Sequence, residues 1–66
     1  MNTLTERERE VANLVMEGLT NKQIAKQLFI SVHTVKATLE KIYDKLNISS
    51  RVLLALYAFK HNYVNK

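Results

Sequence analysis

The chain has 66 residues, with ten Lys or Arg against six Asp or Glu, no Cys, no Pro and a single Gly. That length holds one domain, residues 1–66, whose own core is marginal. The lack of Cys removes disulfides and thiolate metal sites and fits a reducing, cytoplasmic setting, and no apolar run approaches the roughly 20 residues of a membrane span, so neither a cofactor nor a membrane partner is expected. Charge is placed unevenly. Residues 1–18 carry four Glu against two Arg, whereas residues 19–66 carry eight Lys or Arg against Glu40 and Asp44. A basic part of this kind suits a polyanionic partner.

Without Pro, and with Gly only at position 18, the pattern favours helices. The first is expected over about residues 5–17. Thr5 and Glu8 have capping-box spacing, Glu6, Glu8 and Glu10 sit near the positive end of the helix dipole on an exposed first turn, and Val11, Leu14 and Val15 form the inward stripe. Gly18 ends the helix as a left-handed cap. Thr20 and Gln23 repeat the capping box and open a second helix, about 20–28, with Ile24, Ala25 and Leu28 inward. Ala25 is small where two helices should cross closely.

Ser31 caps a third helix, about 31–46, and Asn47 closes it as a left-handed residue in place of Gly. At about 100° per residue, Val35, Leu39, Ile42 and Leu46 make one apolar seam. His33, Lys36, Ala37, Glu40 and Asp44 fall opposite, and Thr34, Thr38, Lys41 and Lys45 line a flank. An ordinary amphipathic helix would show this division too. The second and third helices, joined by a very short turn over about residues 20–39, have helix-turn-helix geometry, which favours the reading that the outer face enters a DNA major groove. Ser49 or Ser50 caps a fourth helix, about 49–62, whose middle from Val52 to Phe59 is apolar on every side and has to be buried on more than one. The tail from Asn62 to Lys66 is expected to fray. The fold class is therefore all-α, four helices in one helix-turn-helix domain.

An enzyme is not expected. There is no Gly-rich phosphate loop, His33 and His61 are 28 residues apart on different helices, and no carboxylates pair where a pocket could form.

Leu4-Thr5-Glu6-Arg7-Glu8-Arg9-Glu10-Val11, Gly18-Leu19-Thr20-Asn21-Lys22-Gln23-Ile24-Ala25, Leu28-Phe29-Ile30-Ser31, Thr34-Val35-Lys36, Ile42, Lys45-Leu46 and Arg51 together resemble the LuxR-type (GerE/NarL-like) DNA-binding domain, without gaps from about Leu4 to Ala58. The resemblance implies a bacterial transcription regulator whose second helix is a scaffold and whose third is the recognition helix. Its partners would be double-stranded promoter or operator DNA, a second copy through the C-terminal helix with the dimer formed on DNA, and RNA polymerase as a further candidate. In that family the domain usually follows a receiver or ligand-binding domain, although some members stand alone, and Met1-Asn2-Thr3 leaves both arrangements open.

Carried over by position, Lys36 is similar to the family's base-contacting lysine, and Ala37 takes the place of a neighbour that touches base edges. Lys22 and Thr34 occupy phosphate-contacting positions. Thr38 stands where the family frequently has His. Glu40 stands one turn beyond Lys36, where some relatives are basic, and a carboxylate there can accept from a cytosine amino group. From the residues themselves, Lys22, Lys26, Lys41 and Lys45 are candidate phosphate contacts or solvated lysines. Ser31 presents free backbone N–H groups at the third helix's start, with His33 beside them. Arg51 is expected either at a phosphate or, preferably, pinning the fourth helix through a carboxylate. On that helix Leu54, Ala55 and Ala58 should face inward, leaving Leu53, Leu56, Tyr57 and Lys60 outward as a dimer interface. A rival reading is a protein-interaction module that binds and inhibits a related regulator, motivated by Glu40 and the over-apolar fourth helix.

Overall fold

In the computed structural model, residues 4–61 are described. Four helices follow one another: α1 (Glu6–Met16), α2 (Asn21–Leu28), α3 (Val32–Leu46) and α4 (Arg51–His61). No strand occurs among the described residues. The expected fraying from Asn62 onward lies outside them.

Each N-terminus is closed by its own side chain. Thr5 Oγ1 accepts from Glu8 N at 3.1 Å while Glu8 Oε1 accepts from Thr5 N at 2.8 Å. Thr20 and Gln23 do the same at 3.1 and 2.8 Å. Ser31 Oγ accepts from Thr34 N at 3.0 Å, and of the two serines before α4 it is Ser50 whose hydroxyl accepts from Leu53 N at 3.2 Å. These bonds satisfy amides that a helix start otherwise leaves open.

The first three helices also end alike. Leu19 N, Ile30 N and Ile48 N each donate to the carbonyl five residues back, Leu14, Ala25 and Tyr43, at 2.9–3.1 Å. This closure needs a left-handed residue just before the donor. Gly18 (φ 93°) supplies it after α1 and Asn47 (φ 57°) after α3, as the sequence suggests. After α2 it is Phe29, at φ 59°, a residue whose Cβ makes that conformation costly.

One side chain or more from every helix is fully buried: Val11, Ile24, Val35, Ile42 and Leu54. Leu4, Ala12, Leu14, Val15, Ala25, Leu39 and Ala58 complete the core. α4 packs chiefly on α1 and α2 chiefly on α3, with α1 touching both. α4 thus rests on α1 through Leu54 and Ala58 and leaves its opposite side uncovered.

The first turn of α1 departs from expectation. Glu6 and Glu10 are exposed, but Glu8 is buried, because its carboxylate also accepts from Lys45 Nζ, at the far end of α3, at 2.7 Å. Burial pushes the Glu8 carboxyl up. The hydrogen bonds from Lys45 and Thr5 and the Lys45 charge outweigh it and hold the group below its ordinary value of 4.5.

Candidate nucleic-acid interface

α3 buries Val35, Leu39 and Ile42, half-buries Thr38, Tyr43, Lys45 and Leu46, and turns its remaining side chains outward. Ser31, His33, Thr34, Lys36, Ala37, Glu40, Lys41 and Asp44 are all exposed, and Lys22 and Lys26 are exposed on α2. The sequence-derived outer face of α3 is therefore one continuous surface, with Ala37 low enough to let a flat partner approach between longer neighbours. Residues 19–39 contain no Asp or Glu, while they hold Lys22, Lys26 and Lys36, so the N-terminal half of this surface is positive throughout. Its C-terminal half carries Glu40 and Asp44.

The hydroxyls on its flank are linked. Ser31 Oγ and Thr34 Oγ1 share a hydrogen bond of 2.9 Å, and Thr38 Oγ1 donates to the Thr34 carbonyl at 2.8 Å. Thr38 is half-buried, and its proton is already used within α3.

Lys45 does not belong to this surface. Its ammonium is paired with buried Glu8, so a lysine expected at a phosphate instead ties α3 to α1. The spacing from Lys36 explains the difference: nine residues at about 100° each put the two lysines on opposite sides of the helix. Arg51 takes the structural role, but without a carboxylate. Its Nη1 donates to Asn21 Oδ1 at 2.7 Å and its Nη2 to the Leu19 carbonyl at 2.6 Å. The guanidinium thereby fastens the start of α4 to the start of α2. Asn21, Lys36, Leu39, Glu40, Tyr43 and Arg51 line one shallow cleft.

On α4, Leu54 and Ala58 are buried and Ala55 half-buried, the inward set expected. Leu53, Leu56 and Lys60 are exposed. Tyr57 is not outward: it is half-buried against the core, and its ring stacks on His61 with centroids 4.1 Å apart. Val52 and Phe59, absent from the expected face, are exposed by 70% and 74%, more than Leu56 at 59% or Leu53 at 45%. The outward direction opposite Leu54 and Ala58 passes through Leu56, and the uncovered stripe flanks it on both sides. Placing Leu54 and Ala58 inward and then taking the flank opposite Tyr57 would have found it in the sequence.

Residues 2–58 match the family described as bacterial regulatory proteins, luxR family. The chain belongs to the luxR family. Among its relatives, the transcriptional regulatory protein LiaR of Bacillus subtilis is 44% identical over 63 residues, covering 96% of this chain and 30% of LiaR. The nitrate/nitrite response regulator protein homolog of Haemophilus influenzae is 45% identical over 62 residues, covering 94% and 30%. The response regulator protein VraR of Staphylococcus aureus is 39% identical over 61 residues, covering 92% and 29%. The chain thus spans less than a third of the length of each of these three relatives. No described helix is long and apolar enough to cross a membrane.

Proposed function

We propose that this chain binds duplex DNA sequence-specifically, with α3 in the major groove, and that it controls transcription initiation in the cytoplasm, on the nucleoid when bound. The observation that carries the reading is the continuous exposed surface His33–Lys36–Ala37–Glu40 on the side of α3 opposite its buried seam. It has the length and the donors and acceptors for base edges. Lys36 reads guanine O6 and N7. Ala37 approaches a base edge, and Glu40 accepts from a cytosine amino group. Lys22, Thr34 and Lys41 meet phosphates, with the Ser31-capped amides of α3 beside them. A titration with duplexes recovered from a random pool, repeated across a salt series, tests this. With Lys22 and Lys41 as the charged phosphate contacts, log K should fall against log salt with a slope of about −2 per domain. A slope near zero removes DNA as the partner.

A second copy covers α4. Val52, Leu53, Leu56 and Phe59 form an apolar stripe too large for a small monomer to leave wet, and a two-fold axis across it buries it isologously. Two recognition helices then lie about 34 Å apart on an inverted repeat. Leu56→Asp should abolish cooperative occupancy of a two-half-site duplex and leave single-half-site binding and the helical circular dichroism signal intact. Unchanged cooperativity would remove α4 as the interface. RNA polymerase is a further candidate partner. Exposed Glu40 and the uncovered stripe on α4 each favour one rival, a module that binds and inhibits a related regulator. That rival predicts no salt-dependent DNA binding at all.

A further inference from the structure

The three left-handed positions that close α1, α2 and α3 form an internal comparison. All three make the same backbone bond, and the residue after each (Leu19, Ile30 and Ile48) is half-buried against the core. The apolar contact that this closure calls for is therefore made by Ile30 in the middle turn, not by Phe29. Gly18 and Asn47 are the residue types that adopt positive φ with least cost. Phe29 is not, and its side chain gives nothing back to the fold, since it is 93% exposed. The chain keeps a strained, solvent-exposed aromatic where Gly or Asn would close the helix better. Such an outlier points to a role outside folding.

We propose that Phe29 is a DNA-contacting residue whose ring lies on deoxyribose and thymine-methyl surface where α3 enters the groove. This rests on the DNA-binding reading above. Two features favour DNA over a protein as the occupant. Phe29 lies two residues before the N-cap of α3, and between exposed Lys26 and exposed His33. It also sits near the centre of the stretch without an acidic side chain between Glu17 and Glu40. An apolar ring in a stretch whose only charged side chains are lysines matches the edge of a duplex, where methyl and sugar C–H groups alternate with phosphates. Val32, 37% exposed, extends the same apolar contact into the first turn of α3.

The test pairs stability with binding, which a role in folding would move together. Phe29→Gly relieves the left-handed strain and should raise the melting temperature by roughly 4 °C. The same variant should bind the tightest duplex recovered from the random pool about 10-fold more weakly, the equivalent of some 55 Å² of apolar surface left wet. Phe29→Ala keeps the strain and should lose the same affinity without gaining stability. The salt slope should not change in either variant, because an apolar contact releases no counterion. Replacing thymine by uracil in the duplex should weaken wild type and leave both variants unaffected. Asn47→Gly, at the equivalent turn after α3, should alter melting alone. If wild type binds the duplex with a steep salt slope and Phe29→Gly binds equally well, the inference falls while the DNA-binding reading stands. A defect of the variants seen only when RNA polymerase is added overturns it in favour of a protein contact. If wild type recovers no duplex, both readings fall.

Discussion

Lys36 and Lys45 sit on the same helix, nine residues apart, and have opposite fates. Near the N-terminal end, Lys36 is exposed on a face that the core does not use. Near the C-terminal end, Lys45 reaches across to a buried carboxylate on α1. Their charge made both candidates for nucleic-acid contact, Lys36 for a base and Lys45 for a phosphate. What separates them is the element opposite. α1 comes close to the end of α3 and offers Glu8, whose other bond is to its own N-cap amide. A lysine's role is therefore set by what faces it across the fold, and α3 divides into an end that anchors and an end that presents.

Removing the anchor gives the largest effect. Glu8→Ala strips α1 of half its capping box and leaves Lys45 without its partner, and should cost about 2–4 kcal/mol in thermal or urea unfolding. Lys45→Met should cost somewhat less, since its side chain is 34% exposed, and it should leave the salt slope of DNA binding unchanged. A slope reduced by about one with melting intact would place Lys45 at a phosphate after all and undo the contrast. At the presenting end, Lys36→Ala should lower affinity for the preferred site by roughly 1–3 kcal/mol, flatten discrimination at one base pair and leave melting unchanged. Loss of stability there would mean that Lys36 also supports the fold.

Acid gives a smaller effect. Because the folded-state value of Glu8 is depressed, its contribution to stability is fully present above the ordinary 4.5 and is lost as pH falls through the lower folded value. Unfolding free energy should decline over that window, and Glu8→Gln should flatten that part of the profile. An identical decline in both proteins would assign the acid sensitivity to other carboxylates.

The boundary between what the sequence shows and what it hides follows interaction range. Both capping boxes, Gly18, Asn47, the Ser31 cap and the buried seam of α3 depend on residues three to seven apart, and periodicity and cap chemistry report such spacings directly. The Glu8–Lys45 pair spans 37 residues and the Arg51 bonds span 30 and 32. No local pattern carries them. For Arg51 the sequence leaves a phosphate or a carboxylate as partner, and the packing brings it an amide oxygen and a carbonyl instead. The left-handed turn at Phe29 was hidden for another reason. The short gap between two capped helices demanded a tight closure, but the residue type at its centre argues against one. On α4, the inward set Leu54, Ala55 and Ala58 was legible, but with apolar residues on both flanks the pattern did not show that Tyr57 turns in and that Val52 and Phe59 stay out.

The distribution of the core has a consequence for redesign. Val11, Ile24, Val35, Ile42 and Leu54 come from all four helices and meet in one place, so the α2–α3 pair has no interior of its own to take to another scaffold. Grafting those two helices elsewhere would take Ile24 and Val35 out of the core cluster that α1 and α4 complete. The outward letters of α3 are a different matter. Lys36, Ala37 and Glu40 touch none of that interior, and can be rewritten one at a time, or all together, as an alphabet printed on a block whose shape is fixed from behind.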